Sequence, residues 1–212
     1  MSTKTSVLLL SLSLLISGCG AFLAGGDVQS GRQAFLIGNN EAAAGYFRSA
    51  AQRDPNYIYG ATLRQGIWSY VGRSEYATGR LPQAREALER ALSQNNEEDI
   101  ARLYLGLTLA RSGDQQAGVK EIQGGMRGIY DWLEYITTTH RYTFGQFWDT
   151  RREIRSAIQT DLAMLDAKDV NLAKLISDGE WLGKRIEQES DDASRDESRE
   201  RSRDSDGKGD QP

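Results

Sequence analysis

The chain is poor in the residues on which most chemistry depends. Its 212 residues include one cysteine and one histidine. A single cysteine excludes an internal disulfide and any cysteine-clustered metal site. A single histidine excludes a paired-histidine metal motif, and His140, in a stretch with three preceding threonines and Gly145 following, reads as a loop residue rather than a catalytic one. Proline occurs three times while Ala, Leu, Gln, Glu and Arg are plentiful, a composition that favours helix. The formal net charge is only -4, so no strong field draws the chain to nucleic acid or to acidic substrates. There is no nucleophile elbow and no phosphate-binding glycine loop. Gly124-Gly125-Met126-Arg127-Gly128 is glycine-rich, but it follows a helical pattern rather than a strand. These absences argue for a protein that is not an enzyme and call for no cofactor and no metal.

Long apolar runs are missing as well. A membrane-spanning helix needs roughly 20 apolar residues, and the stretch from Val7 to Ile16 falls well short of that. Preceded by Lys4, it has the form of the apolar core of a secretory signal. It runs into Ile16-Ser17-Gly18-Cys19, which resembles the lipobox of bacterial lipoprotein signal peptides. In that family the cysteine is lipidated and becomes the first mature residue. The resemblance implies a signal peptide over 1–18, a lipid on Cys19 and a short tether over 19–26. One acyl chain holds a membrane only marginally, at about 0.8 kcal/mol per buried methylene; the two or three chains of a lipoprotein anchor it permanently. Gly20 stands where an aspartate would favour inner-membrane retention. In a diderm host the resemblance therefore implies the periplasmic face of the outer membrane.

Residues 27–136 read as helical hairpins. Asp27 is placed to cap a helix over 28–37, and Gly38-Asn39-Asn40 has the composition of a turn. A second helix, Glu41 to Arg53, carries Ala43, Phe47 and Ala50 on one face and ends at Asp54-Pro55. The pattern returns twice. Gly31, Gly38, Ala43, Phe47, Ala50 and Pro55 are followed by Trp68, Val71, Gly72, Gly79, Ala84, Leu88 and Ala91. Leu105, Gly106, Gly113, Gly118, Ile122 and Gly125 form the third set. These positions resemble the tetratricopeptide repeat (TPR), a helix–turn–helix unit about 34 residues long, in units of about 24–57, 65–98 and 99–132. Between the first two units Ile58 to Arg64 is an insertion, whose length is close to two helical turns and so suits a lengthened helix. A lone hairpin cannot bury its apolar face, so stacked neighbours make the core; burying Phe47 or Leu88 is worth about 1.5–3 kcal/mol. Gly124, Gly125 and Gly128 each weaken a helix by about 1 kcal/mol relative to Ala, so either they permit tight packing or the helix breaks there. The resemblance implies an all-α fold, a right-handed solenoid of about three antiparallel helix hairpins.

Beyond the repeats, Ile129 to Ile136 continues the last helix and 137–149 reads as a loop. Thr150-Arg151-Arg152-Glu153 has capping-box spacing and opens a helix with Ile154, Ile158, Leu162 and Leu165 on one side. A further segment from Asp169 carries Leu172, Leu175, Ile176, Leu182 and Ile186, with Asp178-Gly179 as a candidate break. Repeat arrays need their last apolar face covered, so 150–187 reads as a pair of C-terminal capping helices. Residues 188–212 hold almost nothing apolar to offset their ordering entropy and read as a disordered charged tail. Its arginines alternate with acids, which argues against a nucleic-acid arm.

TPR proteins bind peptides or partner domains in a groove lined by the first helix of each unit. Carrying that register over places Arg32 and Phe35, Ser69, Arg73 and Tyr76, and Leu107 and Arg111 along the groove. Arginines beside aromatics suit an extended peptide bearing carboxylates. Glu86, Glu89 and Glu97 fall on a polar helix face. The expectation is a membrane-anchored scaffold lipoprotein that binds an envelope protein or peptide segment. A solute-binding accessory of a transporter is the alternative, and a closed apolar pore would favour it. An envelope hydrolase would require a buried acid, or His140, in a cleft.

Overall fold

The computed structural model describes residues 22–167 and 170–206. The signal segment, Cys19 and residues 207–212 lie outside them. The described residues are all-α apart from one two-stranded ribbon. In order they form helix α1 (22–36), α2 (Asn40–Arg53), strands β1 (Ile58–Tyr59) and β2 (Gln65–Gly66), α3 (Ile67–Ala77) and α4 (Leu81–Gln94). There follow α5 (Asp99–Arg111), α6 (Gln115–Thr139), a 3-10 turn (Phe144–Phe147), α7 (Glu153–Asp166) and α8 (Leu172–Asp206). The chain divides into two compact units, Met1–Glu98 and Asp99–Pro212. No helix among the described residues is long and apolar enough to cross a membrane.

Three hairpins share one construction: α1/α2 and α3/α4 in the first unit, α5/α6 in the second. In α5/α6, Gly118 meets Ala110, Ile122 meets Gly106 and Gly125 meets Leu103; the contacts step in opposite directions, so the helices are antiparallel. A glycine of each first helix lies against a large residue of the second, always at the same spacing: Gly31 against Phe47, Gly72 against Leu88, Gly106 against Ile122. The turns repeat too. Gly38, Gly79 and Gly113 take φ of 83°, 78° and 99°, a region that only glycine enters cheaply. The next residue returns its amide to the helix, Asn39 to Ala34 O at 2.8 Å, Arg80 to Glu75 O at 2.9 Å and Asp114 to Leu109 O at 3.0 Å, closing a Schellman turn. Asn39 and Asp114 then cap the second helix through their side chains. Arg80, at the equivalent place, makes no such cap.

The glycines of α6 leave it unbroken and serve close approach instead. A Cβ on Gly125 would lie 2.5 Å from the Leu103 amide, and one on Gly118 2.6 Å from the Ala110 amide. Gly106 is equally confined, 2.4 Å from the Ile122 nitrogen and 2.7 Å from the Gly118 oxygen. No rotamer relieves a clash with backbone, so Gly106→Ala is expected to lose about 1–3 kcal/mol in urea unfolding. Gly45→Ala, on the exposed face of α2 with nothing within 4 Å, is expected to gain up to about 1 kcal/mol. Equal effects at the two sites would refute close packing as the reason for Gly106.

Several elements differ from expectation. Residues 22–26, read as tether, already belong to α1. The insertion lengthens no helix: β1 pairs antiparallel with β2, Ile58 opposite Gly66 and Tyr59 opposite Gln65. Gly60, at φ 98°, turns the chain, and a β-branched residue beside an aromatic favours strand. The loop over 137–149 is shortened, because α6 runs to Thr139 and a 3-10 turn follows. Helix α7 is capped by Asp149 rather than Thr150: the Asp149 carboxylate accepts the amides of Ile154 at 2.9 Å and Arg155 at 3.2 Å.

The expected disordered tail is helical over 188–206, and Asp178-Gly179 does not break α8. Ala193 is buried and anchors that stretch. Beyond it Arg195 pairs with Asp192 at 2.5 Å, Arg199 with Asp196 at 3.0 Å and Arg201 with Glu197 at 2.8 Å. Pairs three and four residues apart support an exposed helix without a core. Within the second unit α7 packs on α6 and α8 on α5. Gly179 and Gly183 of α8 lie against Leu107 and Tyr104 of α5.

Candidate functional site

The residues expected along a groove are mostly interior. In the first unit Arg32, Phe35 and Arg73 do come together, but inside: Arg73 is 0 % and Arg32 3 % exposed. Arg32 donates to the Tyr59 hydroxyl at 2.7 Å and lies 4.4 Å over that ring. Arg73 donates to Gln65 Oε1 at 2.6 Å, with its guanidinium 5.3 Å from the rings of Phe35 and Tyr70. Phe35 is half-buried, and Ser69 and Tyr76 are buried. In the second unit Leu107 is buried against α8. Arg111 is exposed and pairs with Glu180 of α8 at 3.6 Å. The groove assignment is therefore corrected. The arginines do sit beside aromatics, but as packed cation–π contacts, and on α5 the chain's own α8 occupies the face assigned to a partner.

Two open clefts lie in the first unit instead. One, of about 380 Å³, is formed by α2, α3 and α4. Its floor is Ala51, Val71, Ala87 and half-buried Trp68. The Arg90 guanidinium lies 3.8 Å over the Trp68 ring, and the indole N–H is held by Pro55 O at 2.9 Å. Buried Glu75 accepts Arg48 at 2.7 Å and also Arg80, which reaches Glu41 at 2.9 Å. An apolar floor whose rim carries Arg48, Arg80 and Arg90 together with Glu75 and Glu86 can seat an apolar side chain flanked by polar or charged groups.

The other cleft, of about 490 Å³, lies between the strand ribbon and the end of α4. Glu98 is part of its lining and only 6 % exposed. Its carboxyl accepts the Gly66 amide at 3.0 Å. Burial pushes that carboxyl up to about 7, against the opposing pull of the Ser69 hydroxyl, the Gly66 amide and the Arg73 charge. Exposed Arg64 stands in the same cleft. Neither Glu98 nor Arg64 was singled out from the sequence. The signal that points to Glu98 is the β-prone start of the upstream insertion at Ile58-Tyr59, whose partner strand ends in Gly66, the glycine that binds Glu98.

In the second unit His140 stacks on Phe144 at 4.5 Å and meets Tyr135 edge-on at 5.5 Å, a packing role at the end of α6. No cluster of three or more His, Cys, Asp or Glu among the described residues can hold a metal ion. No protein-family model, curated protein or solved structure matches the chain.

Proposed function

We propose that the chain is a lipid-anchored scaffold of the bacterial envelope. In this reading its hairpins stack as a TPR-like solenoid, Cys19 carries the anchor, and the α2/α3/α4 cleft receives a segment of a partner protein. The observation that carries the reading is that cleft, an apolar floor closed by Trp68 under Arg90 and rimmed by Arg48 and Arg80. The shared backbone turn of the three hairpins, a positive-φ glycine followed by an amide returned to the helix, supports the repeat.

The experiment is site-specific photocrosslinking in intact cells, with the probe at exposed Gln83 on the cleft rim and a control probe at exposed Gln33 on α1. A discrete adduct at Gln83, lost with Trp68→Ala or Arg90→Glu, is expected. In the same cells Cys19→Ser is expected to move the protein from the membrane pellet to the soluble fraction. An adduct indifferent to Trp68 and Arg90 would remove the cleft from the reading. A Cys19→Ser protein that stays in the salt-washed pellet would remove the anchor.

A further inference from the structure

The Glu98 cleft brings together a buried carboxyl, Glu98, and an exposed guanidinium, Arg64. Glu98 is buried and hydrogen-bonded to Gly66, yet it has no ion-pair partner among the described residues. Arg64 likewise forms no ion pair among the described residues. The buried Arg73 charge offsets only part of the cost of burying the Glu98 carboxylate, so a further cation in the cleft is favourable. A ligand with only negative charge meets Glu98, and one with only positive charge leaves Arg64 unmatched. Tyr57 and Ile58, the latter 51 % exposed, supply an apolar wall. Gln94 is fixed opposite by hydrogen bonds to Pro55 O at 3.4 Å and Asn56 Oδ1 at 3.3 Å, so the walls are held in place. The volume lies in the range typical of small-ligand sites.

We propose that this cleft binds a small zwitterion, a free amino acid or a short peptide, with its ammonium on Glu98 and its carboxylate on Arg64. Charge-assisted hydrogen bonds at both ends set the selection, and the Tyr57–Ile58 wall takes the ligand's side chain. The site is separate from the Trp68 cleft and does not rest on the scaffold reading. Arg73 from α3 and Arg64 from the ribbon segment are the charged groups that face or share the cleft with Glu98. A purely structural Glu98 would only need to accept the Gly66 amide, which glutamine also does.

The test is isothermal titration calorimetry on the full-length protein with alanine, alanyl-alanine and trialanine. N-acetyl-alanyl-alanine and alanyl-alaninamide, each lacking one charge, serve as controls. At least one free zwitterion is expected to bind, and its preferred length separates an amino acid from a peptide as the source. Blocking either end, Glu98→Gln or Arg64→Gln is expected to weaken binding by about 10- to 100-fold. In Glu98→Gln the acetylated and free peptides are expected to bind alike. Circular dichroism checks that both variants are folded. The proposal is overturned if no zwitterion binds, if acetylation changes nothing in the parent protein, or if folded Glu98→Gln binds like the parent.

Discussion

Replacing Asp149 by Ala is expected to lower the stability of the second unit by about 3–5 kcal/mol. Asp149 and Arg155 are both buried and meet at 2.8 Å. The same guanidinium reaches Glu134 at 2.9 Å, Thr137 Oγ1 at 2.7 Å and the Asp149 carbonyl at 3.1 Å. Removing the Asp149 carboxylate leaves a desolvated cation with part of its shell. It also frees the Ile154 and Arg155 amides that the carboxylate caps. Position 149 has φ 42°, where a residue without a short polar side chain costs about 1–2 kcal/mol. Denaturant unfolding and amide exchange at Ile154 and Arg155 measure the effect. Adding Arg155→Leu is expected to restore part of the loss, because no orphan charge then remains. If the single and double variants lose the same stability, the buried charge is not the cause.

Glu98→Gln is expected to act in the opposite direction, and only above acid pH. In the folded chain the Glu98 carboxyl is raised to about 7 from an ordinary 4.5. Between those values the unfolded chain ionises while the folded one stays protonated, so rising pH favours unfolding. The penalty is absent below the unfolded value, grows through the window and is complete above the folded one, at about 3 kcal/mol. Glutamine does not ionise and still accepts the Gly66 amide. The variant is therefore expected to match the parent near pH 4 and to exceed it by about 3 kcal/mol near pH 8. Urea unfolding at a series of pH values measures the difference, in which the other carboxylates cancel. Parallel stability profiles would mean that Glu98 titrates normally.

The repeat was legible in the sequence because its physics is local. A glycine under a large residue and a glycine in the turn recur at fixed spacing, and the hairpins place Gly31, Gly72 and Gly106 against Phe47, Leu88 and Ile122. Spacing assigns a residue to a face of a helix, but it does not say what covers that face. Arg73 reads as a groove residue until Phe35, Tyr70 and Gln65 close around it. Leu107 reads the same way until α8 lies on it. Glu98 sits in the run Asn95-Asn96-Glu97-Glu98, which looks like solvated loop, and its burial depends on a ribbon formed far upstream.

The misread cap and tail fail for different reasons. Thr150 has the spacing of a capping box. Positive φ at Asp149 and Arg152 curls the chain so that the residue before it reaches the helix instead. The composition of the tail measures only what the segment can bury. Its helix depends on order rather than composition, with arginines spaced one turn from acids.

The ribbon between α2 and α3 has a meaning beyond its two strands. Hairpins of one construction give every position a near-duplicate, so the recurring pattern alone marks no position as unique. An irregular element supplies an origin from which the others are counted. It also brings side chains that the repeated pattern has no place for, here Ile58 and Arg64 beside Glu98. Individuality in this chain resides where its periodicity is interrupted.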